Sequence, residues 1–168
     1  MAIAVDADAR EPSGAGRGGT PVKDWRRATP EDAGPLADLE RDANFVGLAH
    51  VFGDLPFPYD GVLSRWVLVL DDPDVVTEVV PGDRGLVACA AYDHESLRHL
   101  AVHPDWWGRG IARAGVGRAV AAGATRLWVL DDNHRARGLY EHLGWAPTGV
   151  RQECPWVPHP VELEYARA

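Results

Sequence analysis

A chain of 168 residues and 18.3 kDa has the size of one ordinary domain. Such a domain buries roughly 70% of its unfolded surface and needs no disulfide or metal staple, while 46% hydrophobic and 25% charged residues exclude wholesale disorder. Lys+Arg 17 against Asp+Glu 25 leaves −8, the wrong sign for a general nucleic-acid binder and one that attracts basic or amine-bearing partners.

Residues 1–21 carry Gly14, Gly16, Gly18 and Gly19 among small polar residues without periodicity, so a flexible Gly-rich tail is expected there and a folded domain over 22–168. Val22 to Ala28 reads as a first strand. Thr29-Pro30-Glu31-Asp32 then opens a helix: Thr29 caps, Pro30 suits the first helical position, and the two acids face the positive helix end. Leu36, Leu39 and Ala43 give that helix an apolar face. Pro56 and Pro58 break the next stretch into a short helix and a loop. Val62 to Leu70 reads as a helix, with a strand left open by its Val and Leu content.

Val75 to Val80 and Gly85 to Tyr92 are predicted strands around a turn at Pro81-Gly82-Asp83, and Ser96 to Val102 is a third. Gly110 to Gly123 is helical, Arg126 to Leu130 a strand, and Asn133 to Leu143 a helix closed by Gly144. Val161 to Tyr165 is the last strand. The order predicts an α/β fold with a mixed sheet. Cys89 and Cys154 are too few for a disulfide framework and too far apart for a zinc knuckle, and are expected as reduced thiols. No apolar run approaches the ~18 residues of a membrane span. The first residues carry Asp6 and Asp8 instead of a signal core, so a cytoplasmic protein without membrane partners is expected.

The most informative stretch runs from Leu100-Ala101-Val102 through His103-Pro104-Asp105-Trp106 to Trp107-Gly108-Arg109-Gly110-Ile111-Ala112. A strand enters a glycine-bearing turn that opens a helix. Its converging N–H groups and the helix dipole suit a pyrophosphate, although two glycines alone favour a plain capping turn. A P-loop is excluded because the only lysine is Lys23, and a dinucleotide fingerprint fails because Arg113 stands where a small residue is required.

This stretch resembles the GNAT superfamily of acetyl-CoA-dependent N-acetyltransferases, whose pattern is Gln/Arg-x-x-Gly-x-Gly/Ala four residues after a strand ending in valine. Gly110 and Ala112 match, and Trp107 replaces the usual Gln or Arg. Asn133 to Trp145 is similar to the family's Asn-x6-Tyr-Glu-x-x-Gly-Phe segment, with Trp145 in place of Phe. The resemblance implies a mostly antiparallel mixed sheet, splayed beside Leu100 to Val102, with flanking helices and acetyl-CoA in the opening. It implies cofactor contacts from Leu100, Ala101, Val102, Trp107, Gly108, Arg109, Gly110, Ile111, Ala112 and Asn133. No metal is implied, and His99 with His103 lacks a third ligand at suitable spacing.

Acetyl transfer to an amine needs a neutral nitrogen, a stabilised oxyanion and a protonated leaving thiolate. On the helix face alone Tyr140 reads first as a core aromatic; the resemblance implies that it is the general acid. Asn133 combines the family's pantetheine contact with a helix cap. Histone-type members carry a glutamate six residues before the valine, where this chain has Ser96, which cannot act as a base. His99 is the candidate base, or a hydrogen-bonded structural residue. Family members shape acceptor choice with their early helices, so Asn44 to Tyr59, with His50, Phe52, Phe57 and Tyr59, is the expected acceptor wall, although the aromatic cluster reads equally as ordinary packing. The expected function is acetyl transfer to a primary amine, with a homodimer as a candidate assembly. The alternative is a non-catalytic acyl-CoA-binding module of the same fold.

Overall fold

The computed structural model describes residues 24–168. The expected tail, and the expected strand start at Val22, lie outside the described residues. Within them the first strand is short, β1 (Arg26–Arg27). The chain then leaves the sheet because Asp32 draws it into a helix. The Asp32 carboxylate accepts two bonds from Arg26 at 2.8 Å and a third from the Thr29 N–H at 2.8 Å. The Asp32 N–H in turn donates to the Thr29 carbonyl at 2.9 Å, so the predicted cap closes reciprocally through a 3-10 turn. Helix α1 (Ala33–Gly47) follows, burying Leu36, Leu39 and Ala43 as expected, and then the short α2 (Ala49–Phe52). The ambiguous apolar stretch is helical, α3 (Tyr59–Asp71), with Val62 and Trp66 buried.

Strands β2 (Val76–Gly82), β3 (Gly85–Tyr92) and β4 (Ser96–Val102) form an antiparallel meander. Here one expectation needs correction. Pro81 and Gly82 are strand residues, because a register shift at Val80/Pro81 lets the ladder continue to a Gly82–Gly85 pair. Helix α4 (Ile111–Ala121) crosses over to β5 (Arg126–Leu130), which runs parallel to β4. Gly115 permits this packing: a Cβ there would stand 2.7 Å from Leu100 Cδ1 on β4. Helix α5 (His134–His142) begins one residue later than predicted, because Asn133 caps it by accepting the Ala136 N–H at 3.2 Å.

The final two strands are β6 (Ala146–Glu153) and β7 (Val161–Ala166), giving a seven-stranded sheet in the order β1-β2-β3-β4-β5-β7-β6. All pairs except β4–β5 are antiparallel, and helices lie on both faces. Strand β6 is absent from the sequence reading. It is an edge strand, exposed at every residue, with an irregular register between Pro147 and Arg151, so no apolar alternation marks it.

Candidate active site

Strands β4 and β5 pair only at Ser96↔Arg126 and Leu97↔Leu127, and then part. The expected splay therefore opens alongside His99 to Val102. On the other edge of β4 the His103 N–H donates to the Val87 carbonyl at 2.8 Å. By strand alternation the main-chain groups of Ala101 also face β3, and those of Leu100 and Val102 face the opening. Of the three expected strand contacts, two thus aim into the splay and Ala101 aims away.

Beyond Val102 the chain makes a 3-10 turn over Pro104–Trp106, with His103 Nδ1 accepting the Asp105 N–H at 3.3 Å. Gly108 and Gly110 then adopt φ of +76° and +74°, which only glycine takes without strain. A Cβ on Gly110 would meet no heavy atom within 4 Å, so the surface over the turn is open. Gly110 caps α4, and Ile111 and Ala112 are buried in its first turn. Such a turn presents amides and a positive helix end to an anion.

Trp107 is turned inward. Its Nε1 donates to the Val102 carbonyl at 2.8 Å, and the Arg135 guanidinium of α5 lies 4.3 Å from its ring centroid. Arg109 stacks likewise on Trp106 at 4.6 Å and donates to the Asp105 carbonyl at 3.3 Å. Arg135 escaped the sequence reading, since nothing in one sequence distinguishes it from Arg137, which bonds Asp131 and Tyr165. Asn133 is buried, and its Nδ2 has no partner among the described residues.

Tyr140 lies in one buried cluster with Leu100, Val102 and Ile111, its ring 6.4 Å from Trp145 and 6.5 Å from Tyr165. It is 0% exposed, and its hydroxyl has no hydrogen-bond partner among the described residues. Burial pushes the phenol well above its ordinary value, so it stays protonated. The Nδ2 of Asn133, the N-cap of α5, and the hydroxyl of Tyr140 on that helix are thus two buried donors without partners among the described residues, and each suits a hydrogen-bond acceptor. His99 is on the other side of β4. It is buried, with its ring centroid 4.9 Å from Trp66 of α3. The candidate acid and candidate base thus lie on opposite faces of the sheet.

A cavity of about 520 Å³ opens between α1, α2, the 53–58 loop and the segment around Trp156. Phe52 and Phe57 of the expected acceptor wall line it. His50 instead bonds the Asp132 carbonyl at 2.8 Å, tying α2 to the loop before α5, and Tyr59 packs edge-on against Phe57 at 6.4 Å. Asn44, the first residue of that wall, lines the cavity too, as do Glu40 and Trp156, which were not singled out from sequence. Among the described residues no group of three or more His, Cys, Asp or Glu is placed to hold a metal ion, and no helix is long and apolar enough to cross a membrane.

The sequence profile of the acetyltransferase (GNAT) family matches residues 7–145, and the chain belongs to that family. The match takes in part of the segment read from sequence as a tail. The fold is shared with an acetyltransferase from Thermus thermophilus, 19% identical, with a TM-score of 0.64 over 86% of this chain and 95% of that one. It is also similar to the PaiA N-acetyltransferase of Thermoplasma acidophilum, determined in complex with coenzyme A: 14% identity and a TM-score of 0.64, over 84% and 96% of the two chains. YjaB of Escherichia coli, in its apo form, gives 21% identity and a TM-score of 0.67 over 86% and 97%. No curated protein sequence matches. The fold is thus one built for CoA-dependent acyl transfer.

Proposed function

We propose that this protein transfers an acetyl group from acetyl-CoA to a primary amine. The pantetheine arm would lie between β4 and β5, the pyrophosphate on the Gly108–Ala112 turn, and the acceptor in the cavity beside α1. One observation carries the reading: β4 and β5 separate after Leu97 and Leu127, on the strand that runs into two left-handed glycines at the head of α4.

When bound, acetyl-CoA supplies an activated thioester. The main-chain groups of Leu100 and the N–H of Val102 orient it along β4, and the amides from Gly108 to Ala112 hold its phosphates. Amide formation requires that the amine lose a proton and the departing sulfur gain one. Tyr140 is assigned the second task, since burial keeps its hydroxyl protonated and no protein acceptor among the described residues claims that proton. His99 is assigned the first, and the pH profile of kcat in His99→Gln tests it. Cys89 and Cys154 are buried thiols outside any disulfide, which supports a reducing, cytoplasmic location.

A second reading, an acyl-CoA-binding module without turnover, is favoured by Ser96 in place of a carboxylate and by the complete burial of Tyr140. Release of free CoA thiol with an acetylated amine seen by mass spectrometry establishes the enzyme. Tight acetyl-CoA binding without turnover on any amine establishes the module.

A further inference from the structure

The cavity beside α1 has a lining at odds with the acidity of the whole chain. Its charged residues are mostly engaged elsewhere. Glu40 accepts from Trp66 Nε1 at 3.0 Å and from Arg65, and Arg41 donates to Asp38 at 2.9 Å and to Asp42 at 3.0 Å. Asp54, on the exposed 53–58 loop, is the one lining carboxylate without a charged partner among the described residues. Leu48, Phe52, Phe57, Val62 and Trp156 supply an apolar wall. Phe45 at the mouth is 82% exposed. One polar atom stands out. Asn44 Oδ1 is buried without a partner among the described residues, on a residue that lines the cavity. An amide oxygen so placed calls for an N–H donor.

We infer that the acceptor is a primary monoamine with an alkyl or aryl body, its nitrogen bonded to Asn44 Oδ1, rather than a polyamine or an aminoglycoside. This rests on the reading above that the cavity receives the acceptor. A volume of about 520 Å³ suits a small molecule. A polycation would have to strip several ammonium groups of water against aromatic and aliphatic side chains, with only Asp54 in return. A monoamine hides its body and presents one nitrogen. Asn44 is on the part of α1 that approaches the end of β4, where Asp42 Oδ2 stands 3.9 Å from His103 Nε2. Apolar surroundings also favour the neutral form of the bound amine, the nucleophilic one, which lessens the work left to a base.

Steady-state kinetics at saturating acetyl-CoA test this with propylamine to hexylamine, 2-phenylethylamine, spermidine and an aminoglycoside. The expected kcat/KM rises about fourfold per methylene and exceeds that for spermidine at least about tenfold. Leu55→Asp, at an exposed position in the cavity wall, is expected to cut hexylamine kcat/KM by about tenfold or more while leaving the acetyl-CoA KM unchanged. Asn44→Ala should raise the amine KM, and Asn44→Asp, which keeps an acceptor oxygen, should restore it. If spermidine or the aminoglycoside is preferred while these variants still alter acceptor KM, the apolar acceptor is wrong and the site stands. If the alkyl series is flat and neither variant changes any acceptor KM, the cavity is not the acceptor site and both readings fall. Acetylation of none of these amines overturns both as well.

Discussion

The indole Nε1 of Trp107 donates to the carbonyl oxygen of Val102 at 2.8 Å, so a side chain of the glycine turn occupies the last main-chain acceptor that β4 directs into its splay. In the family pattern this position is Gln or Arg. Here the aromatic ring packs against both buried clusters and carries Arg135 on its face, joining the end of β4 to α5. Trp107→Phe keeps an aromatic ring, smaller than the indole, and removes the donor. The expected cost is about 0.5–1.5 kcal/mol in denaturant unfolding. The acetyl-CoA Kd should not rise, because the freed Val102 carbonyl becomes available to the ligand.

The hydroxyl of Tyr140 has no partner among the described residues, which separates two roles the sequence leaves open. A structural hydroxyl would be hydrogen-bonded, and its loss would destabilise the fold. Tyr140→Phe is therefore expected to leave the melting temperature unchanged or slightly raised. General acid catalysis contributes about 10²–10⁴-fold, so kcat should fall within that range at nearly constant acetyl-CoA affinity. A melt and steady-state kinetics on one preparation check both halves.

Acid stability should depend on Glu78. Arg118 bonds it twice, at 2.5 and 2.6 Å, and Tyr92 once at 2.5 Å. The Arg118 bonds hold its carboxyl below the usual carboxylate range, against the opposing effect of burial. A carboxylate with a lowered folded pKa contributes fully above the unfolded value of about 4.3, and the contribution is lost as pH falls through the folded value. Glu78→Gln should accordingly destabilise at neutral pH and flatten the loss of stability below about pH 4.3. At the other end, burial first and the Glu78 bond second push the Tyr92 phenol up to about 12. Its contribution is present below the unfolded value of about 10 and fades as pH rises toward the folded one. Urea unfolding as a function of pH reads both limbs.

Close packing of α4 on β4 makes Gly115 sensitive. A Cβ there would lie 2.7 Å from Leu100 Cδ1 and 3.3 Å from the Trp25 ring. Gly115→Val should cost about 1–3 kcal/mol and weaken acetyl-CoA binding by moving Leu100. Gly117→Ala, on the same helix with nothing within 4 Å, should instead stabilise by about 0.5–1 kcal/mol.

The parts of the fold legible in sequence are those where burial and turn chemistry agree. Strands β4 and β5 have their predicted bounds, Asn133 and Gly144 frame α5, and Thr29 with Asp32 opens the first helical segment. The glycine turn was legible because its two left-handed residues favour glycine. Strand β6 was not, since an exposed edge with a bulge needs no apolar alternation. Side-chain partnerships across the fold were equally hidden: nothing local to Trp107 announces Val102 and Arg135, and nothing local to Asn44 announces a buried amide oxygen without a partner among the described residues. The separation of His99 from Tyr140 depends on which face each side chain takes, a matter of sheet alternation that appears only once register is known.

The central claim is that the Gly108–Ala112 turn holds the pyrophosphate of acetyl-CoA, and calorimetry on two variants of Gly110 tests it most directly. At φ +74° with open space around the position, Asn and Asp impose nearly the same modest backbone cost, and they differ by one negative charge. Gly110→Asn is expected to bind acetyl-CoA within about tenfold of the parent chain, whereas Gly110→Asp, equally folded, should lose a further hundredfold or so by facing the phosphates with a carboxylate. Equal affinity of the two variants for acetyl-CoA would contradict a phosphate site at this turn.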